Sequence, residues 1–313
     1  MDRYRRADRL ACRMAWIGNG NWRVDMVDSD HNIIIGDNLS VMRKMVDESV
    51  DLIATDPPFN KGRDFGAYDD RWHDTRAEEG LLLRARSMAA HEYICWVEEF
   101  ASQPFANFLV FLGIRITEMH RILKPTGSLY LHCDQTANSY IRLLLDTIFG
   151  AKNQRNEIIW CYTGPSSPGT RQFPRKNDTI FWYSKSDRWV FNKDDIRVPY
   201  KALGKTGFKK NGQYMTDDEH RSYLEKGKIP ESWWNDCTRV AQLAKERTGY
   251  PTQKPVSLYE RIIKASAPEG GVVLDPFCGS GTTLVAARNL NRRYIGIDSN
   301  QEAINIAERR MSS

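Results

Sequence analysis

Two short stretches carry residue types that can do chemistry together. The first is Asp56-Pro57-Pro58-Phe59, directly after the apolar run Val50–Thr55. An exocyclic amine on a nucleobase is a poor nucleophile, because its lone pair is delocalised into the ring. The Asp56 carboxylate and the Pro57 carbonyl can accept its two hydrogens and localise that pair on nitrogen. The Pro57-Pro58 pair stiffens the carbonyl's position, and Phe59 offers a face on which a base can stack. Taken alone, the four residues are better explained as a strand-ending turn, with Asp56 as a cap and Phe59 as core.

The second stretch is Asp275-Pro276-Phe277-Cys278-Gly279-Ser280-Gly281-Thr282, between the apolar run Val272–Leu274 and a helical pattern. Gly279 and Gly281 let the backbone approach a ligand, and a helix N-terminus favours a carboxylate or phosphate there. Asp298 ends the next apolar run, 17 residues beyond Gly281, where an acid accepts hydrogen bonds from ribose hydroxyls. Many crossovers use such glycine turns only for packing. Strand, Gly-x-Gly, helix, strand and acid in succession point to a nucleoside-containing cofactor. Leu284 stands where a dinucleotide fingerprint wants a third Gly or Ala, which counts against NAD.

The elements that must position these motifs alternate between apolar runs and helical periodicity. His31–Gly36 and Val50–Thr55 predict buried strands, and two prolines turn the chain out of the sheet after Thr55. A helix is predicted over Phe108–Leu123, stopped by Lys124-Pro125-Thr126-Gly127, then a strand over Ser128–Cys133 and a helix over Ala137–Phe149. Glu157–Tyr162 and Thr179–Tyr183 predict two strands joined by a Gly/Pro/Ser-rich loop at 164–170. From Val190 to Gly249 the pattern weakens, which predicts an inserted module with long loops. A helix resumes at Pro255 and ends at Gly270-Gly271; strands over Val272–Leu274 and Tyr294–Ile297 alternate with helices over Thr282–Leu290 and Gln301–Arg310. This alternation predicts an α/β fold with a doubly wound, mostly parallel sheet.

The 313 residues suit one large α/β domain with an inserted module, or two modest domains, and their net charge of +5 is unevenly spread. Residues 1–150 carry 18 basic and 22 acidic groups, residues 151–247 carry 19 and 12, and residues 248–313 carry 8 and 6. The basic middle is also rich in aromatics: Trp160, Tyr162, Phe173, Trp182, Tyr183, Trp189, Tyr200, Phe208, Trp233 and Trp234. Cations neutralise phosphates while flat rings stack on bases, so this suits nucleic acid; a solvated basic face over an aromatic core suits it equally. No apolar run of about 18 residues exists, which excludes a membrane-spanning helix of that kind. The charged start Met1-Asp2-Arg3-Tyr4-Arg5-Arg6 predicts no secretory signal. Cysteines at 12, 95, 133, 161, 237 and 278 form no CxxC pair, so neither a metal site nor a disulfide framework is expected and a reducing cytoplasm fits.

The two motifs, in this order, resemble those of the β class of S-adenosylmethionine-dependent DNA amino-methyltransferases, a circularly permuted Rossmann-like fold. Gly36-Asp37-Asn38 resembles the family strand end whose acid contacts the cofactor adenine, and Ile122–Asp134 the strand and turn after the catalytic helix. Thr252-Gln253-Lys254-Pro255 resembles the segment closing over the methionine end of the cofactor. The resemblance covers about residues 31–310 and implies an order of parts. These are an N-terminal arm at 1–30, a catalytic part at 31–189 with a helical insertion at about 63–107, a target-recognition region at 190–250, and a cofactor-binding part at 251–313.

It further implies methyl transfer from S-adenosylmethionine to a base flipped out of duplex DNA. Asp56, Pro57, Pro58 and Phe59 would be catalytic. Asp37, Asn38, Thr252, Lys254, Asp275, Phe277, Cys278, Gly279, Ser280, Gly281, Thr282 and Asp298 would hold the cofactor, Cys278 as packing and not as a nucleophile. Aspartate at the head of the tetrad resembles the adenine-N6 branch, whereas cytosine-N4 members more often carry Ser; Phe59 replaces the commoner Tyr. Lys209, Lys210, Arg239, Lys245 and Arg247 are candidate phosphate contacts, as are Arg3, Arg5, Arg6, Arg9 and Arg13 of the arm. Arg71-Trp72 and Asp74 fall in the insertion, which would fold as helices over the DNA. A cytosine-N4 enzyme and a silent DNA-binding subunit of the same fold are the alternatives, and the intact tetrad argues against the second. Monomer or homodimer, and the existence of a cognate restriction endonuclease, are left open.

Overall fold

The computed structural model describes residues 14–17, 21–24, 31–59, 72, 76–164, 171–200, 209–210, 212–241, 244 and 246–312. The arm arginines named above, Arg71, Asp74, the loop at 165–170, Phe208 and Lys245 lie outside the described residues. In chain order, β1 (Met14–Ile17) and β2 (Asn21–Val24) pair antiparallel ahead of the main sheet. β3 (His31–Ile35) leads through Gly36 into α1 (Asn38–Met42), and β4 (Val50–Thr55) ends at the Asp56 turn. Helices α2 (Ala77–Arg86), α3 (Met88–Glu98) and α4 (Gln103–Ile122) precede β5 (Leu123–Cys133) and α5 (Asn138–Phe149). β6 (Gln154–Cys161) and β7 (Asn177–Ser184) follow. The weakly patterned stretch contains β8 (Lys209–Lys210), β9 (Gln213–Tyr214), α6 (Asp217–Lys226) and β10 (Trp233–Trp234). The chain closes with α7 (Val256–Ser266), β11 (Val272–Asp275), α8 (Thr282–Asn289), β12 (Arg293–Asp298) and α9 (Gln301–Ser312).

An eight-stranded sheet runs in the order β10-β6-β7-β5-β4-β11-β12-β3. Its neighbours are parallel except where β7 meets β5 and β6. All six residues of β4 and all four of β11 are buried, because helices cover both faces. One face packs on α4 and α5 through Leu112, Met119 and Leu144; the other packs on α7 and α8 through Leu258, Ile262 and Leu284. From β4 the chain works outward to β5, β7 and β6, and from β11 outward to β12. The switch point of this sheet therefore lies between β4 and β11, where a crevice opens at the carboxyl ends of parallel strands. Among the described residues no helix is long and apolar enough to cross a membrane.

Three expectations need correction. The strand after α4 begins at Leu123, not Ser128; Lys124–Gly127 is accommodated as an irregularity in the β4–β5 register, between Val50 opposite Leu123 and Leu52 opposite Ser128. Helix α7 stops at Ser266, because Pro268 ends it before Gly270-Gly271 does. Four of the ten supposed stacking aromatics are core: Trp160, Trp182, Tyr183 and Trp234 are buried, while Phe173, Trp189 and Trp233 are exposed.

One buried acid crosslinks the switch point. Asp275 accepts hydrogen bonds from Thr55 Oγ1 at 2.7 Å and Thr283 Oγ1 at 2.6 Å, joining β11 to the end of β4 and to α8. Burial pushes the Asp275 carboxyl up to about 7, against the pull of those hydrogen bonds. The folded chain thus holds a proton that an unfolded aspartate releases near pH 4. Its contribution is complete below about pH 4 and is lost as pH rises through about 7, a slope worth about 4 kcal/mol at most. Urea unfolding of wild type and Asp275→Asn at pH 5 and pH 8 should show the gap between them shrinking as pH rises. At Gly281, φ is +77° and an added Cβ would meet the Ala307 Cβ at 2.9 Å. Gly281→Ala should therefore cost more than about 1 kcal/mol in the same measurement.

Candidate active site

The crevice is a cavity of about 530 Å³, a size that suits a small-molecule ligand. Asp56, Pro57, Pro58 and Phe59 enter it from the end of β4, Asp37 and Asn38 from the end of β3, and Asp298 from the end of β12. Thr252 and Lys254 come from the loop before α7, and Asp275, Phe277, Cys278, Gly279, Ser280 and Thr282 from the turn after β11. Gly281 alone among the sequence-derived candidates for these two roles is missing from the lining; it packs against Ala307 of α9 instead.

The glycine turn is fixed from both sides. Gly279, at φ +48°, donates its N–H to Asp298 Oδ2 at 2.8 Å, and Asn300 N–H donates to Asp298 Oδ1 at 2.9 Å. Burial nevertheless pushes the Asp298 carboxyl up, the amide hydrogen bonds only partly opposing it. From α9, Arg310 Nη1 reaches the Ser280 carbonyl at 2.7 Å and Thr282 Oγ1 at 3.2 Å, bracing the turn. Burial, and then the nearby Asp275 charge, push the Cys278 thiol up, so it stays neutral and packs as an apolar group.

At the other end, Asp37 caps α1 by accepting from Ser40 N–H at 2.9 Å. Its other oxygen accepts from Arg115 Nη2 at 2.8 Å. Burial opposes ionisation of Asp37, but the Ser40 hydrogen bonds and Arg115 outweigh it and hold the carboxyl below its usual range. Arg115, only 3% exposed, also donates to Asn38 Oδ1 at 2.7 Å and Glu79 Oε1 at 3.0 Å, with its guanidinium 3.7 Å from the Phe111 ring centroid. Asn38 passes the tie on by donating to the Pro276 carbonyl at 2.7 Å. Phe111 and Phe277, 6.0 Å apart, form an aromatic wall with Trp72 and Arg76. Sequence reasoning missed Arg115, Phe111, Arg76, Tyr250 and Tyr259. Only Arg115 left a signal: a lone cation inside the apolar run Phe108–Ile116.

The tetrad faces Lys254. Its Nζ lies 2.5 Å from Asp56 Oδ2 and 5.0 Å from the Phe59 ring centroid, with the side chain 9% exposed. Gln253 ties that loop together, donating to the Glu246 carbonyl and accepting from Thr248 N–H and Oγ1. Thr252 takes a positive φ of 62° at the turn. The second Asp56 oxygen, Oδ1, is buried and finds no hydrogen-bond partner among the described residues. An acceptor so placed is costly unless a ligand supplies a donor.

Of the candidate phosphate contacts, the described Arg239 and Arg247 stay outside the cavity lining. Arg239 is exposed and stands 4.9 Å over the Tyr162 ring, on the carboxyl side of β6. Arg247 is exposed on the loop leading to Tyr250. Lys209 and Lys210 form β8, paired with β9. Among the described residues no three His, Cys, Asp or Glu side chains are placed to hold a metal ion.

A profile of the N6/N4 family described as DNA methylase matches residues 50–309. Type II methyltransferase M.HpaI of Haemophilus parainfluenzae is 32% identical, over 91% of this chain and 75% of its own length. DNA adenine methyltransferase YhdJ of Escherichia coli strain K12 is 32% identical, over 89% and 82%. Among solved structures, the PvuII DNA methyltransferase (cytosine-N4-specific) matches at TM-score 0.58 and 17% identity, over 90% of this chain and 86% of its own. The M1.HpyAVI–SAM complex matches at 0.53 and 22%, over 90% and 99%. At those identities the structural likeness speaks for the fold, and the sequence matches speak for kinship. The chain belongs to the N6/N4 DNA methylase family.

Proposed function

We propose that the protein methylates the exocyclic N6 amine of adenine in duplex DNA, using S-adenosylmethionine. The observation that carries this is the unpartnered, buried Asp56 Oδ1 at the rim of a cavity whose other end is a glycine turn with an acid behind it. The cofactor fits the donor set present. Asp298 suits the ribose, Asp37 and the Phe111–Phe277 wall suit the adenine, and Ser280, Thr282 and the loop at Thr252 suit the amino-acid end. Bound there, it supplies a sulfonium methyl as electrophile. The chain's own part is positioning. Asp56 Oδ1 and the Pro57 carbonyl accept the amine hydrogens and turn the nitrogen lone pair toward the methyl. Lys254 orients Asp56 through Oδ2, and Phe59 stacks on the base.

Adenine is favoured over cytosine by the aspartate heading the tetrad, and an adenine enzyme stands among the relatives. A cytosine-N4 enzyme is the second reading, since a cytosine-N4-specific methyltransferase is built on the same fold. The segment 190–250 is assigned to target recognition and 31–189 with 251–313 to catalysis, with DNA passing along Arg239 and Arg247. Five described cysteines are free thiols, which supports a reducing cytoplasmic setting.

Radiolabelled methyl transfer to duplex DNA should be present in wild type and reduced at least about 100-fold in Asp56→Asn. Asp56→Ala leaves Lys254 buried without its partner, so the Asp56→Ala/Lys254→Met pair serves as the folded control. Mass analysis of the product nucleosides should give N6-methyladenine; N4-methylcytosine would establish the second reading, and full activity in Asp56→Asn would remove the mechanism. Sequencing of methylated bases in expressing cells supplies the recognition site.

A further inference from the structure

Beside the tetrad lies a polar cluster that the mechanism above does not use. His132 sits near the end of β5, between β4 and β7 in the sheet. The register sets Thr55 opposite Leu131 and His132 opposite Ile180, so the chain leaves β4 at Asp56 alongside His132. The imidazole is 2% exposed, with its ring centroid 5.7 Å from Phe59 and 5.6 Å from Trp160. Its Nε2 is 3.1 Å from Asp178 Oδ2, and Asp178 Oδ1 accepts from Tyr162 Oη at 3.1 Å. Burial opposes ionisation of Asp178, yet its hydrogen bonds to His132 and Tyr162 and the charge on Lys254 prevail and hold the carboxyl below its usual range.

An ionised carboxylate can only accept, so Nε2 carries the hydrogen and donates it. The neutral ring then presents Nδ1 as a bare lone pair. That nitrogen is shut off from solvent and has no hydrogen-bond partner among the described residues, as is true of Asp56 Oδ1. Two buried lone pairs thus stand at the ends of adjacent strands, one on the imidazole beside Phe59 and one at the head of the tetrad. Amine methylation generates the one thing such a pair lacks. As the N–CH3 bond forms, the S–CH3 pair stays on sulfur, and the nitrogen becomes a cation that must shed one proton. Asp56 is a poor final acceptor, because its charge is already committed to Lys254.

We propose that His132 is the general base for the transfer: Nδ1 takes the proton from the methylated nitrogen, the N–H pair returns to that nitrogen, and Asp178 stabilises the imidazolium. The assignment rests on the amine-methylation reading above. It makes His132–Asp178 a catalytic dyad, with Asp178 acting as the positioning residue that selects the Nε2–H tautomer.

The test is single-turnover methyl transfer from S-adenosylmethionine to duplex DNA bearing the recognition site. Wild type, His132→Gln and Asp178→Asn are compared, with 2-aminopurine at the target position reporting base flipping. His132→Gln should lower the transfer rate about 100-fold, while DNA affinity and the flipping signal stay within about twofold. Nitrogen-15 NMR of histidine-labelled wild type should show one neutral ring protonated at Nε2, identified by its loss in His132→Gln. A transfer rate within about twofold of wild type overturns the assignment, as does a loss confined to DNA binding or flipping. Should His132→Gln fail to fold, an Nδ1–H tautomer for the ring that shifts in Asp178→Asn overturns it, and an Nε2–H tautomer upholds it. Absence of any methyl transfer by wild type overturns the parent reading instead.

Discussion

The pairing of β4 with β11 is the constraint on which the site depends. Val273 lies opposite Leu52 and Leu274 opposite Ile53, and Asp275 then staples the strand ends across 220 residues of sequence. A slip of one residue would turn Asp275 away from Thr55 and send Asp56 to the other side of the sheet. Because the two strands work outward in opposite directions, the ends they share are left uncovered by a direct connection. The tetrad and the glycine turn meet there for a topological reason, before any attraction between their side chains matters.

Around that meeting point the cavity is set by two buried cations. Arg115 gathers Asp37, Asn38 and Glu79, so a helix of the insertion is tied to the end of β3. Lys254 gathers Asp56, so the loop before α7 is tied to the end of β4. Each cation is desolvated and each is held by carboxylates that also line the cavity or border it. Loss of one partner would strand a charge, which makes the cavity walls cooperative with one another. The basic surplus of the middle segment belongs to a different regime: Arg239 and Arg247 are exposed and act, where they act, through screened long-range attraction.

The chain order of strands and helices was legible because most elements bury a continuous apolar run or a periodic face. Val50–Thr55 and Val272–Asp275 announce themselves this way, and the site motifs follow them as turn residues that neither strand can absorb. Helix α6 was illegible for the opposite reason. It buries none of its residues and owes its start to the Thr216–Glu219 capping box and three acids in its first turn. Strand β10 is two residues long, below what periodicity can register. Within the site, the motif residues that line the cavity were found by type and spacing, whereas Arg115, Phe111 and Tyr250 contribute through packing geometry that only the folded sheet creates. Lys254 shows the limit from the other side: the motif Thr252–Pro255 marks it for the cofactor loop, and only the fold reveals its bond to Asp56.

Strand β10 also explains how the proposed recognition segment and the catalytic edge are one mechanical unit. It adds in parallel to β6, and Trp160 Nε1 donates to the Cys237 carbonyl at 2.7 Å, so the backbone just before Arg239 is registered against the sheet. Arg239 covers Tyr162, Tyr162 donates to Asp178, and Asp178 holds His132 beside Phe59. Every link in that series is a direct contact at one edge of the sheet. A phosphate drawn to Arg239 would compete with the Tyr162 ring for the same guanidinium and loosen or tighten the tyrosine over Asp178. Three side chains, Tyr162, Asp178 and His132, therefore link the proposed DNA contact Arg239 to Phe59. If Arg239 meets DNA as proposed, that contact reaches the tetrad through packed side chains, without any need for a moving domain.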